Sequence, residues 1–360
     1  MRHIAGQGFL RGTRIAPDKR RRALRDHATR KEMKKAMKIL LAVDGSEASL
    51  TAVEEAARTP WPEGSMLRIV SVADIPLTPQ WRLALMPSGE YKEWMRIVEE
   101  SSVENTTKAM ARFGEIAGAQ TEMTAKTLKG EPEIAILDEA EHWGADLIIV
   151  GTHGYNALER LLLGSVSRAV ASHAKCSVQI ARRRKAECAD GKAMRILLAV
   201  DGSEFGDAAV DEIANRPWAP RSEVHVISVI HPPFTPTPET QSLPDSYYAQ
   251  LERTERERAE SVVKSAIARL REGGASRETP LTLTSEVILG HPAEAIIEAA
   301  KEWGSDLIAL GTHGYRGFTR FLLGSVSYTV ASHAPCSVEI VRKPMLSYTA
   351  PRQEEKNEYR

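Results

Sequence analysis

The hydrophobic positions of this chain form short, continuous apolar runs that alternate with longer stretches of helical periodicity. Uninterrupted short runs are typical of strands buried on both faces of a parallel sheet, and the longer stretches are typical of amphipathic helices. In the first half of the chain, the pattern predicts strands over 38–43, 67–73, 121–127, 146–150 and 177–182, and helices over 47–58, 90–117, 132–142 and 165–173. Such regular alternation predicts an open, doubly wound sheet with right-handed crossovers.

The same unit is written twice along the chain. The segment Ile39–Glu47 returns as Ile196–Glu204, and Gly151–Tyr155 returns as Gly311–Tyr315. A repeat of this length makes each copy a whole domain rather than a short solenoid repeat. The predicted fold class is therefore α/β, with two tandem doubly wound (Rossmann-like) domains. Each is expected to hold a five-stranded parallel sheet with helices on both faces.

Changes of composition divide the chain around these two copies. The predicted parts are a basic arm (1–36), a first domain (37–182), a linker (183–193), a second domain (194–342) and a polar tail (343–360). Because Met37 opens the first strand with no spare residue, the arm is expected to be disordered or to lie upstream of the true start. At 360 residues, the chain has the length that two ordinary domains require.

Composition and charge narrow the class of protein. The chain is 42% hydrophobic and 27% charged, which is typical of a soluble globular protein. No apolar run approaches the roughly 20 residues that span a bilayer. The three cysteines Cys176, Cys188 and Cys336 form neither a disulfide framework nor a Cys-x-x-Cys pair. We therefore expect a cytoplasmic protein without a membrane segment or a metal site.

The net charge of the chain is zero, but its N-terminal segment is strongly basic. Residues 1–38 carry thirteen Lys and Arg against three acidic residues, so the rest of the chain is acidic. A basic arm of this kind leaves a nucleic-acid-binding module open as an alternative of another class. The arm lacks interleaved aromatic residues and any recognisable reading motif, so nucleic acid is not the expected partner.

The candidate chemistry follows the ends of the predicted strands, where open α/β sheets bind ligands. In the first copy, strand one ends in Asp44-Gly45-Ser46, and strand four runs into a Gly151-x-x-Gly154 loop followed by Gly164-Ser165 at a helix start. Glycine N–H groups and an open helix start are suited to bind phosphate. Ser165 and Ser167 would add hydroxyl donors, and the aspartate would face the same crevice and accept hydrogen bonds from a base or ribose.

Structural explanations compete with this interpretation. The glycines could be turn residues, Ser165 a plain helix cap, and Asp44 and Asp201 caps of the next helix. The loop histidines His153 and His313 could offer a ring N–H to phosphate or supply only their backbone. Identical spacing in both copies favours the phosphate site over the structural explanations.

The repeated motif resembles the signature of the universal stress protein family: Gly, two residues, Gly, nine residues, Gly and then Ser or Thr. The resemblance covers about 37–182 and 194–342, and it implies ATP as the ligand, with or without Mg²⁺. It implies that Asp44 and Asp201 hold adenine, with Ala42, Val72, Ala199 and Val229 against the ring. Ribose and phosphates would be carried by Gly151, Thr152, His153, Gly154, Gly164, Ser165, Val166 and Ser167, and by Gly311, Thr312, His313, Gly314, Gly324, Ser325, Val326 and Ser327.

The resemblance also implies a function and a mode of pairing. The expected function is a nucleotide-dependent regulator or sensor in the stress response, acting with a protein partner that the sequence does not name. A slow ATPase is the alternative, without an assigned catalytic residue, since the P-loop lysine is missing. Single-domain members pair through their fifth strand. We therefore expect Ser177–Arg182 and Ser337–Arg342 to pair within this chain, with or without further pairing into a homodimer.

Overall fold

The computed structural model describes residues 36–74, 88–118, 121–153, 163–184, 193–231, 245–273, 280–312 and 323–343. The strands are β1 Lys38–Ala42, β2 Met66–Ala73, β3 Glu122–Lys129, β4 Leu147–Gly151, β5 Ser177–Ala181, β6 Arg195–Ala199, β7 Glu223–Ile230, β8 Thr282–Leu289, β9 Leu307–Gly311 and β10 Ser337–Val341. The helices are α1 Glu47–Arg58, α2 Ser88–Ala117, α3 Pro132–Trp143, α4 Ser165–His173, α5 Glu204–Asn215, α6 Asp245–Gly273, α7 Pro292–Trp303 and α8 Ser325–His333.

The helices and strands of the first copy begin and end within two residues of the predicted positions. Local signals explain this agreement. Helix α3 has its proline at the first turn, where a missing N–H costs nothing, and it ends at Gly144, whose φ of 70° is left-handed. Residues 1–35 of the arm, 185–192 of the predicted linker and 344–360 of the tail lie outside the described residues.

The ten strands of the described residues belong to one sheet, in the order β3-β2-β1-β4-β5-β10-β9-β6-β7-β8. Within each copy, neighbouring strands are parallel, and the order reverses between β1 and β4 and between β6 and β9. The copies meet where β5 and β10 pair antiparallel, with Glu339 opposite Gln179. This is the arrangement expected from two fifth strands that would otherwise be exposed edges.

The helices cover the sheet in an unequal way. On one face, α3, α4, α7 and α8 pack onto a single core that runs across both copies and includes Val178 and Val338. On the other face, each copy keeps its own core, under α1 and α2 in the first and under α5 and α6 in the second. The shared core fixes α4 and α8 relative to each other, because both pack against the paired strands.

A buried ion pair lies at the centre of the junction between the copies. The guanidinium of Arg216 donates to both carboxylate oxygens of Glu339, at 2.7 and 2.5 Å, and both side chains are at most 1% exposed. The guanidinium also lies 5.2 Å from the ring centre of Trp61 in the first copy. The corresponding residues of the first copy are Thr59 and Gln179. The Arg216–Glu339 pair therefore has no counterpart at these two positions of the first copy.

Two expectations about composition can be compared with the structure. None of the helices in the described ranges combines the length and the apolarity needed to cross a bilayer. Cys336 is buried, and burial raises the pKa of the Cys176 thiol to about 11, so both behave as small core residues rather than nucleophiles. Cys188 lies outside the described residues.

Candidate functional site

The turn after β1 places an aspartate at the carboxyl end of the sheet. The exposed Asp44 accepts the N–H of Ser46 through Oδ1 at 3.0 Å, and Ser46 Oγ accepts the N–H of Ser49 at 3.2 Å. Asp201 and Ser203 repeat this turn in the second copy. The helix caps are therefore the serines, and the interpretation of Asp44 and Asp201 as caps is wrong. Each aspartate instead shapes the turn ahead of the helix.

The first glycine of each motif has a packing role. A Cβ added at Gly151 would lie 2.6 Å from the carbonyl oxygen of Ala48, and one at Gly311 would lie 2.6 Å from the carbonyl carbon of Phe205. Any side chain at the end of β4 or β9 would collide with the first turn of α1 or α5, the helix that follows the neighbouring strand β1 or β6. The structural explanation therefore accounts for the first glycine in both copies.

The backbone conformation of the third glycine does not require a glycine in either copy. Gly164 caps α4 with φ −60° and ψ 159°, and Gly324 caps α8 with φ −62° and ψ 151°. Every residue type can adopt this extended conformation. Neither helix has a side-chain hydrogen bond from its cap residue, so within the described part of the chain the first N–H groups lack the usual acceptor. Ser165 is the first helical residue rather than the cap, which removes the plain-cap explanation.

Two hydrogen bonds hold the strand end against the helix start. The N–H of Gly164 donates to the carbonyl of Thr152 at 2.8 Å, and Ser167 Oγ donates to the carbonyl of Gly151 at 2.7 Å. Gly324 and Ser327 make the same bonds in the second copy, to the carbonyls of Thr312 and Gly311. The open helix start is thereby held directly beside the strand end.

This bonding corrects the prediction for Ser167 and Ser327. Each hydroxyl has a single proton, and that proton is already donated to a strand carbonyl. Neither hydroxyl can donate to a ligand phosphate while that bond is made, so these serines position the loop ends. Ser165 and Ser325 are exposed, and their role as hydroxyl donors stays a prediction.

Apolar side chains line the same end of the sheet. Ala42, Val72 and Val166 are half-buried and pack against the core face that carries α4. Ala199, Val229 and Val326 occupy the corresponding positions in the second copy. The structure thus brings together, in each copy, a carboxylate, a partly open apolar surface and an uncapped helix start.

Comparison with known proteins agrees with this arrangement. The model of the universal stress protein family matches residues 35–182 and again residues 192–342. The chain belongs to the universal stress protein family. A universal stress protein of Mycolicibacterium smegmatis is 27% identical over 322 residues, covering 84% of this chain and 96% of the relative. Universal stress protein Rv2005c of Mycobacterium tuberculosis is 26% identical, covering 72% and 84%.

A solved structure supports the fold of this universal stress protein. The crystal structure of a universal stress protein from Archaeoglobus fulgidus superposes with a TM-score of 0.54. It shares 20% identity and covers 85% of this chain and 98% of its own. At that identity the likeness extends to the fold alone.

His153 is the loop histidine that the structure describes. Its Nε2 is buried and has no hydrogen-bond partner among the described residues. Burial lowers the pKa of the imidazole, and the positive charge of Arg182 lowers it further, so both effects favour the neutral ring. A neutral ring can donate one N–H. The predicted site residues Gly154, His313 and Gly314 lie outside the described residues.

Two residues beside the site were not among those predicted from the sequence. Leu163 and Leu323 are half-buried and pack against the same core face as Val166 and Val326. Each directly precedes the third glycine of its copy, and that repeated position was a signal available in the sequence. We missed it because a leucine in an irregular segment resembles any other core residue.

Proposed function

We propose that each copy of this universal stress protein binds one adenine nucleotide, with ATP as the favoured ligand. The protein would act in the cytoplasm as a nucleotide-dependent regulator or sensor in the stress response. The observation that carries the proposal is the third glycine, which leaves a helix start without a cap in both copies although its backbone conformation does not require glycine.

The phosphates would bind at the starts of α4 and α8. The first N–H groups of a helix point outward and carry a partial positive charge, which favours an anion by about 0.3–2 kcal/mol. Ser165 and Ser325 add exposed hydroxyls beside these groups. We infer that a side chain at the third glycine would occupy the approach to these N–H groups.

The base would lie on the apolar surface formed by strand-end residues. Ala42, Val72 and Val166 are half-buried and provide van der Waals contact for a flat ring. The carboxylate of Asp44 only accepts hydrogen bonds, so it suits the amino group of adenine or a ribose hydroxyl better than a carbonyl. Guanine also offers a ring N–H and an amino group to a carboxylate, so the preference for adenine rests on the resemblance of the motif to that of ATP-binding members.

Nucleotide that copurifies with the protein tests this proposal. Protein purified without added nucleotide, then denatured in acid, should release adenine nucleotide that chromatography and mass spectrometry identify. We expect about two adenine nucleotides per chain. If the purified protein carries fewer, incubation with ATP should bring the number to two. Recovery of flavin, or of no nucleotide even after incubation with ATP, would refute it.

A slow ATPase is the alternative function, and turnover separates it from the regulator. No group of three potential metal ligands lies within the residues that the structure describes. Phosphoryl transfer depends on metal ions and a positioned base around the γ-phosphate. We expect phosphate release well below about 1 s⁻¹, the lower end of typical enzyme turnover. A rate at or above this value would favour the ATPase.

A further inference from the structure

An arginine at the end of each fifth strand crosses into the other copy. Arg182 follows β5, and its Nη2 donates to the carbonyls of Ala331 at 2.5 Å and Ser332 at 3.2 Å, in the last turn of α8. Its Nη1 reaches the carbonyl of Cys336 at 3.4 Å. The end of α8, which belongs to the second copy, is thus capped by a side chain of the first.

The second copy makes the equivalent contact with the first. Arg342 follows β10 and donates to the carbonyl of Ala171 at 2.6 Å, in the last turn of α4, and to that of Cys176 at 3.3 Å. The exchange is reciprocal, because each arginine leaves its own copy and holds the helix of the other.

Both arginines are firmly placed and charged. The N–H of Arg182 donates to Ser337 Oγ at 3.0 Å, and the N–H of Arg342 donates to Ser177 Oγ at 3.1 Å. Burial lowers the pKa of each guanidinium to about 10, so both remain protonated at pH 7. Their guanidinium groups donate to backbone carbonyls in the last turns of α8 and α4, at the negative end of each helix dipole.

The opposite end of each capped helix is the candidate phosphate site. Helix α8 has nine residues and begins at Ser325, directly after Gly324. At about 1.5 Å per residue, its two ends lie roughly 13 Å apart, so a shift at one end moves the other. The positive charge of Arg182 also lowers the pKa of His153 in the first copy.

We propose that Arg182 and Arg342 are positioning residues for nucleotide binding in the opposite copy. Arg182 holds α8 so that its start fits the phosphates of the second site, and Arg342 does the same for α4 and the first site. This inference rests on the proposed function. It makes the two sites interdependent, because each is completed from the other half of the chain.

The test measures one site at a time in the full chain. Gly164→Val should leave only the second site active, and Gly324→Val only the first. Adding Arg182→Gln to Gly164→Val, or Arg342→Gln to Gly324→Val, should weaken ATP binding roughly three- to tenfold in calorimetry. Arg183→Gln is the matched control, since the neighbouring Arg183 is 69% exposed and pairs with the exposed Glu47. It should leave the dissociation constants unchanged.

A second measurement without nucleotide separates this inference from the proposed function. Hydrogen exchange of the unliganded protein should quicken in α8 for Arg182→Gln and in α4 for Arg342→Gln, with Arg182→Lys giving a smaller change. Binding that stays within twofold of the parent in both single-site proteins, or faster exchange in the arginine's own copy instead, would overturn the inference. If the parent binds no ATP, the proposed function fails, and the exchange pattern alone decides whether the arginines position the opposite helices.

Discussion

Replacing Arg216 by methionine is expected to lower the free energy of unfolding by about 3–5 kcal/mol, because it leaves the carboxylate of Glu339 buried without its cation. Glu339 is fully buried at the centre of the junction, and Arg216 donates to both of its oxygens. Methionine retains much of the packing against Trp61 and Trp218, so the loss reports mainly on charge. Urea unfolding at pH 7, followed by circular dichroism, measures it.

The Arg216→Met variant is also expected to change how the free energy of unfolding depends on pH. Burial raises the pKa of the Glu339 carboxyl above its ordinary value of 4.5, Arg216 opposes that shift, and nearby Glu212 adds to it. Without Arg216, the folded-state pKa rises further, and the folded protein holds a proton that the unfolded chain releases. Stability should therefore fall as pH rises above about 4.5, more steeply than in the parent.

Glu339→Gln provides the control, because it installs the residue that the first copy has at Gln179. The double variant Arg216→Met/Glu339→Gln carries no buried charge at this position. It should be less destabilised than the sum of the single variants and should lose the added pH dependence. Additive losses with an unchanged pH profile would show that the pair does not interact as the structure indicates.

Gly164→Val and Gly324→Val should each halve the number of ATP molecules bound, from two per chain to one. The valine side chain would block the N–H groups at the start of α4 or α8. The backbone angles at both glycines suit valine, so we expect little change in melting temperature.

Titration calorimetry gives the stoichiometry directly. Gly164→Ala and Gly324→Ala form a size series with the valines and should retain more binding. The double valine variant should bind none. Two ATP molecules on both single valine variants would contradict phosphate binding at these helix starts.

The sequence by itself determined the helices, the strands and the division into two copies. Those features depend on interactions between near neighbours: apolar periodicity, Pro132 in a first turn and Gly144 at a helix end. The repeat then located both strand-end aspartates and both glycine motifs, because carboxyl ends of parallel strands meet at one edge of the sheet. Even the pairing of β5 with β10 followed from the need to cover two edges.

Only the tertiary structure decided which partner each polar side chain takes. Ser167 resembles a phosphate donor in sequence, yet its proton is donated to Gly151, sixteen residues away. Arg216 and Glu339 are 123 positions apart, and Arg182 reaches a carbonyl 149 positions away. Such contacts produce no periodic pattern in the sequence, since they form when separate elements are brought together by packing. The hydrophobic pattern therefore predicts where a residue lies along an element, and the packed fold determines what its polar atoms bind.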